Sequence, residues 1–144
     1  MTDPDAASPV TREQALELAT AAAKGTLMER LGLEWLEIGA DRIVARIPVE
    51  GNVQVYGQLH GGATAALIES VGSIGTAVVT GLEKRVVGIQ LSVNHLRAVT
   101  EGYVTATGVP IRVGRTVAVW DVRVEDDGGK PVAAGTLTVA IREP

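Results

Sequence analysis

Cysteine and phenylalanine are absent, and the 144 residues include only two histidines, two tryptophans and two tyrosines. Without cysteine there is no disulfide, no thiolate nucleophile and no cysteine-ligated metal. The two imidazoles, His60 and His95, fall at no H-x-x-x-H or related spacing, so no metal is expected. A net charge of −4 argues against nucleic acid as a partner, because binding a phosphate backbone relies on a basic face. Individual arginines could still hold one small phosphorylated ligand. The N-terminus lacks the basic region and apolar run of a secretory signal. The one long apolar stretch is interrupted by Glu69 and several glycines, so no membrane span is expected and the chain reads as cytoplasmic.

With 46% hydrophobic residues and no phenylalanine, the core must be built from Val, Ile, Leu and Ala. The length suits one domain over residues 11–144, behind a loose polar tail at 1–10. Thr11 and Gln14 form a capping-box pattern that predicts a helix over 12–23, with a short helical turn over 26–31 stopped by Gly32. Strands are predicted over 33–38 and 42–47. In the second, Ile43, Ala45 and Ile47 should face inward and Arg42, Val44 and Arg46 outward. A helix from about 59–61 to 80–81 is apolar nearly all round and should be buried. Period-two segments follow at 86–97, 103–113, 116–125 and 131–142, with a hairpin turn at Asp126-Asp127-Gly128-Gly129. The resulting class is α+β, a curled antiparallel sheet wrapped around one central helix.

The chemistry concentrates in residues 54–76. Glu69 sits among Leu67, Ile68, Val71 and Ile74, where an unpaired carboxylate would cost several kcal/mol. A helix glutamate more often faces solvent, but here the neighbouring faces offer almost no other polar group. Ser73, four residues on, shares the face of Glu69 and can hold a water or the carboxylate. Gly61 and Gly62 present unused backbone N–H groups at the positive end of the helix dipole, a possible oxyanion site. A Gly-Gly pair can equally serve a tight loop, and a helix-start histidine such as His60 can be a plain cap. His60 and Glu69 are nine residues apart, about 13 Å along the axis and half a turn around it, so they cannot meet within one chain. If they act together, a second subunit supplies one of them. The serine-hydrolase elbow fails, since Val71-Gly-Ser-Ile-Gly75 lacks the first glycine of G-x-S-x-G, and the P-loop and dinucleotide fingerprints fail on glycine spacing.

The segment Tyr56-Gly-Gln-Leu-His-Gly-Gly-Ala, with Glu69-Ser-Val-Gly-Ser73 and Val87-Gly-Ile-Gln-Leu-Ser-Val-Asn-His-Leu-Arg97, resembles the hotdog-fold acyl-CoA thioesterases. The likeness is to the glutamate-using branch that includes 4-hydroxybenzoyl-CoA, 1,4-dihydroxy-2-naphthoyl-CoA and phenylacetate-pathway enzymes. It implies hydrolysis of an aryl- or medium-chain acyl-CoA, with coenzyme A as part of the substrate and no separate cofactor. Glu69 would be nucleophile or general base, oriented with the help of Ser73. The Gly61 N–H would polarise the thioester carbonyl, Gln54 would sit beside it, and His60 would position the thioester or leaving group. His95, Gly62 and Ile74 would contribute to the substrate pocket, and Arg97 and Arg115 would be candidates for the coenzyme A phosphates. The resemblance also implies a homodimer, or a dimer of dimers forming a homotetramer, with Gln54, His60 and Gly61 in one subunit and Glu69 and Ser73 in the other. Two alternatives share the fold: a non-catalytic acyl-CoA-binding protein, and an enoyl-CoA hydratase or dehydratase.

Overall fold

The computed structural model describes residues 10–144, so the tail expected at 1–10 lies almost entirely outside the described residues. The first helix, α1 (Arg12–Ala22), starts where the capping box places it. Thr11 Oγ1 accepts from Gln14 N at 3.1 Å, and Gln14 Oε1 accepts from Thr11 N at 2.9 Å. Ala15 and Ala19 bury its inner stripe alongside Trp35. A single turn, α2 (Leu27–Arg30), ends at Gly32, whose φ of 69° suits glycine. Strands β1 (Glu34–Ile38) and β2 (Ile43–Pro48) form a hairpin, and the long helix α3 (Gly61–Thr80) follows. Four further strands complete the chain: β3 (Arg85–His95), β4 (Tyr103–Val113), β5 (Val117–Asp126) and β6 (Pro131–Arg142).

The six strands form one antiparallel sheet in the order β1-β2-β4-β5-β6-β3. Helix α3 therefore carries the chain from β2 across the sheet to its far edge, where β3 pairs only with β6. This is the hotdog arrangement, with the sheet curled around the helix. Inward positions of β4, β5 and β6 meet Leu67, Ile68 and Val71 of α3, all with no solvent exposure. In isolation α3 is long and apolar enough to cross a membrane; here it is the core helix.

Glycine lets α3 sit close to the sheet. A methyl group added at Gly75 would lie 2.5 Å from Trp120 Cη2, and one at Gly72 would lie 2.6 Å from Leu137 Cδ2. The contact is fixed chemically by Trp120 Nε1, which donates to Thr76 Oγ1 at 2.9 Å while that hydroxyl donates to Gly72 O at 2.8 Å. Both side chains are fully buried. Thr76→Val keeps the shape but strands the indole N–H, so it is expected to cost about 1–3 kcal/mol. The measurement is the urea midpoint at unchanged m value; a midpoint equal to wild type would refute it.

Two expectations need correction. Val44 is buried, not outward and wet, because its cross-strand neighbours Glu37 and Thr107 flank it in the sheet. Nor is α3 buried all round: the curl covers one side, and Glu69, Ser70, Ser73 and Ile74 lie on partly exposed positions. The same flank borders β3, which has no fully buried residue and leaves Val87 and Ile89 more than half exposed.

Candidate active site

The N-terminus of α3 is assembled by the loop before it. His60 N donates to Asn52 O at 2.8 Å, and Leu59 N donates to Val99 O at 2.8 Å, which ties the loop to the segment after β3. His60 is the N-cap, and its Nδ1 accepts from Gly62 N at 2.8 Å. That bond places the neutral imidazole proton on Nε2, pointing a donor outward. It also uses up the Gly62 N–H. Gly61 N–H has no acceptor among the described residues, so of the two glycines it is Gly61 that offers a free backbone donor at the positive end of the dipole.

Gln54 lies in a tight turn in which its backbone N donates to Gln58 O at 2.8 Å, and its side-chain Oε1 accepts from Tyr56 N. With the carbonyl end engaged, the amide NH₂ is left to donate. Gln54 and Gly61 line one open depression of about 440 Å³ together with His95, Arg97, Gln58 and Thr64. The imidazole of His95 packs against the Cα of Gly61: a methyl there would lie 3.0 Å from His95 Cε1 and Nε2. Arg97 pairs with Asp126, whose carboxyl is held below its ordinary pKa by the Lys130 backbone N–H and by that guanidinium.

Other predicted residues fall elsewhere. His60 and Gly62 line a second, more apolar depression of about 330 Å³, with Leu27, Leu31, Val53 and Ala66. Glu69 and Ser73 lie further along α3; Gly61 and Glu69 are eight residues apart, about 12 Å along the axis. Glu69 is partly buried rather than fully buried, and accepts no hydrogen bond from any described residue. Its burial was overestimated because the apolar residues beside it in sequence pack into the core while it lies over the edge of the sheet, against Gly88 of β3. Ile74 packs against the core. Arg115 is exposed in the β4–β5 turn, at the opposite end of β4 from the Gly61 depression, so the chain does not gather it with the others.

A family model described as the Thioesterase superfamily matches residues 56–133, more than half the chain, a span that holds His60, Gly61, Glu69, Ser73 and His95. The chain belongs to the thioesterase superfamily. It is thus a thioester hydrolase by family. It is 37% identical to the proofreading thioesterase EntH of Cronobacter turicensis over 131 residues, which span 90% of this chain and 96% of that one. It is 34% identical to the 1,4-dihydroxy-2-naphthoyl-CoA hydrolase of Escherichia coli, with the same coverage. Among solved structures, a glutamine-to-alanine variant of a Pseudomonas aeruginosa thioesterase superposes with a TM-score of 0.87 at 34% identity, covering 94% of this chain and 99% of that one.

Sequence reasoning missed Gln58 and Thr64, which line the depression at Gly61, and Gly88, which lies under Glu69. Gln58 and Thr64 carry no local signal. Gly88 does, since an isolated glycine among strand-forming residues marks a bulge or a close approach.

Proposed function

We propose that this thioesterase hydrolyses acyl-CoA, with Glu69 as nucleophile or general base and the Gly61 N–H as carbonyl donor. The observation that carries the reading is the free donor at Gly61. Its neighbour's N–H is spent on His60, the imidazole of His95 holds its Cα, and the Gln54 amide shares its depression. A thioester carbonyl oxygen set there meets two donors in place before reaction, an arrangement that stabilises the developing oxyanion. The Glu69 carboxylate, or a water it deprotonates, attacks the carbonyl carbon. The C–S bond breaks and the thiolate leaves; where Glu69 attacks directly, water then cleaves the acyl–glutamate anhydride, so by either route the hydroxyl of water ends on the acid and its hydrogen on the thiol. A thiolate is a good leaving group, so no strong general acid is needed.

Glu69 and Gly61 of one chain are too far apart to serve one carbonyl, so the pocket is completed by a second copy. Edge strand β3 and the open flank of α3 supply the surface for it, and exposed Val109, Ile111 and Val117 on β4 and β5 offer a further face for a dimer of dimers. The name of the Cronobacter turicensis relative supports a thioester as substrate, and that of the Escherichia coli relative an acyl-CoA with an aryl acyl group.

The test is thiol release from aryl-, phenylacetyl- and straight-chain acyl-CoA. Release is expected from at least one aryl- or medium-chain ester, whereas tight binding without release from any would replace hydrolysis by a binding role. Shared sites are tested by mixing Glu69→Ala with Gln54→Ala subunits, each nearly inactive alone. A mixed dimer has one intact site, so activity should return to a sizeable fraction of wild type; no recovery would mean each site is built within one chain.

A further inference from the structure

The geometry points to Gly88, with the β-bulge beside it, as the seat that positions the Glu69 carboxylate. The inference rests on the reading of Glu69 as the reacting carboxylate. A methyl group at Gly88 would lie 2.5 Å from Glu69 Oε1 and 3.3 Å from its Cδ, so the carboxylate occupies the space that any other residue's Cβ would fill. The next nearest atom outside Glu69 is Leu137 Cδ1 at 3.4 Å, an ordinary contact.

The bulge makes this seat compatible with the donor end that the same chain lends to the neighbouring pocket. Gly88 stands opposite Val139 and Gln90 opposite Thr138, so Ile89 is an extra residue in β3. Gly88 and His95 are seven positions apart, and in a strand of strict alternation they would face opposite sides of the sheet. With Ile89 inserted, both face α3: Gly88 lies beneath Glu69, and His95 lies against Gly61. One strand thereby braces both reacting positions on the helix, and Ile89 is turned outward, 59% exposed. Gly88 touches no substrate in this scheme; it is a positioning residue.

Gly88→Ala tests the seat. The methyl displaces the carboxylate, and kcat for acyl-CoA hydrolysis is expected to fall about 100-fold with KM within about threefold. Glu69→Asp, which draws the carboxylate back by one methylene, should also lower kcat, and the double variant should be no slower than the slower single one. Multiplicative losses in the double variant, or wild-type kcat in Gly88→Ala, would overturn the proposal. Folding is separated from positioning by adding Gly88→Ala to Glu69→Ala, where the methyl has room. Its Tm should match that of Glu69→Ala alone; an equal fall in Tm with and without the carboxylate would put the clash on Leu137 and overturn the proposal too. Full hydrolysis by Glu69→Ala would instead remove the underlying role of Glu69, a result distinct from all of these.

Discussion

Glu69→Ala is expected to lower kcat for acyl-CoA hydrolysis by about 1,000-fold while KM stays within about threefold. The carboxylate is only partly buried and has no hydrogen-bond donor among the described residues, so it makes little contribution to folding that its removal would take away. The loss should therefore appear in kcat and leave the urea midpoint near wild type. Glu69→Gln sharpens the point, because it preserves shape but can neither attack nor take a proton. Both variants should be nearly inactive. Steady-state thiol release settles it, and either variant retaining more than about a tenth of wild-type kcat is incompatible with the general acid–base or nucleophilic role.

Gly61→Pro is expected to lower kcat/KM by about 100- to 1,000-fold, the range seen when one oxyanion donor is lost. Gly61 is the first residue of α3, the position where proline is best tolerated because its missing N–H would be unpaired in any case. His60 before it already has the extended backbone, φ −68° and ψ 129°, that a residue preceding proline prefers. The substitution thus removes the donor without breaking the helix. Gly61→Ala is the control: it adds a Cβ against His95, 3.0 Å from two ring atoms, yet keeps the N–H. If the alanine variant is as impaired as the proline variant, crowding of His95 explains the loss and the backbone donor does not.

The elements with strong local chemistry were legible in the sequence. The capping box of Thr11 and Gln14 marked the start of α1, and the alternation of 103–113 and 131–142 gave β4 and β6 their observed limits. What local pattern could not convey was the position of an element in the sheet. The alternation of 86–97 marked a strand without its place, and β3 lies at the edge because the crossover through α3 delivers it beyond β6. The face presented by Glu69 depended on that same placement. Within the site, the types were readable and the partners were not: Gly61 and Gly62 look alike in sequence, and only the bond from Gly62 N to His60 Nδ1 separates the spent donor from the free one. The insertion of Ile89 had only the indirect signal of Gly88 beside it, since a bulge changes the phase of alternation and a lone glycine marks a close approach as readily as a bulge.

The glycine seating of α3 also bears on how the enzyme's substrate range can be altered by protein engineering. A helix locked against Trp120 and Leu137 cannot retreat to admit a bulkier acyl group, and enlarging Gly72 or Gly75 would push it out of register with the sheet. Room must be made at the chain segments that line the depressions without bracing the helix. Val53, Val55 and Tyr56 occupy such a segment, with exposures of 45%, 92% and 84%. A combinatorial library confined to these three positions would vary the rim while leaving the scaffold untouched.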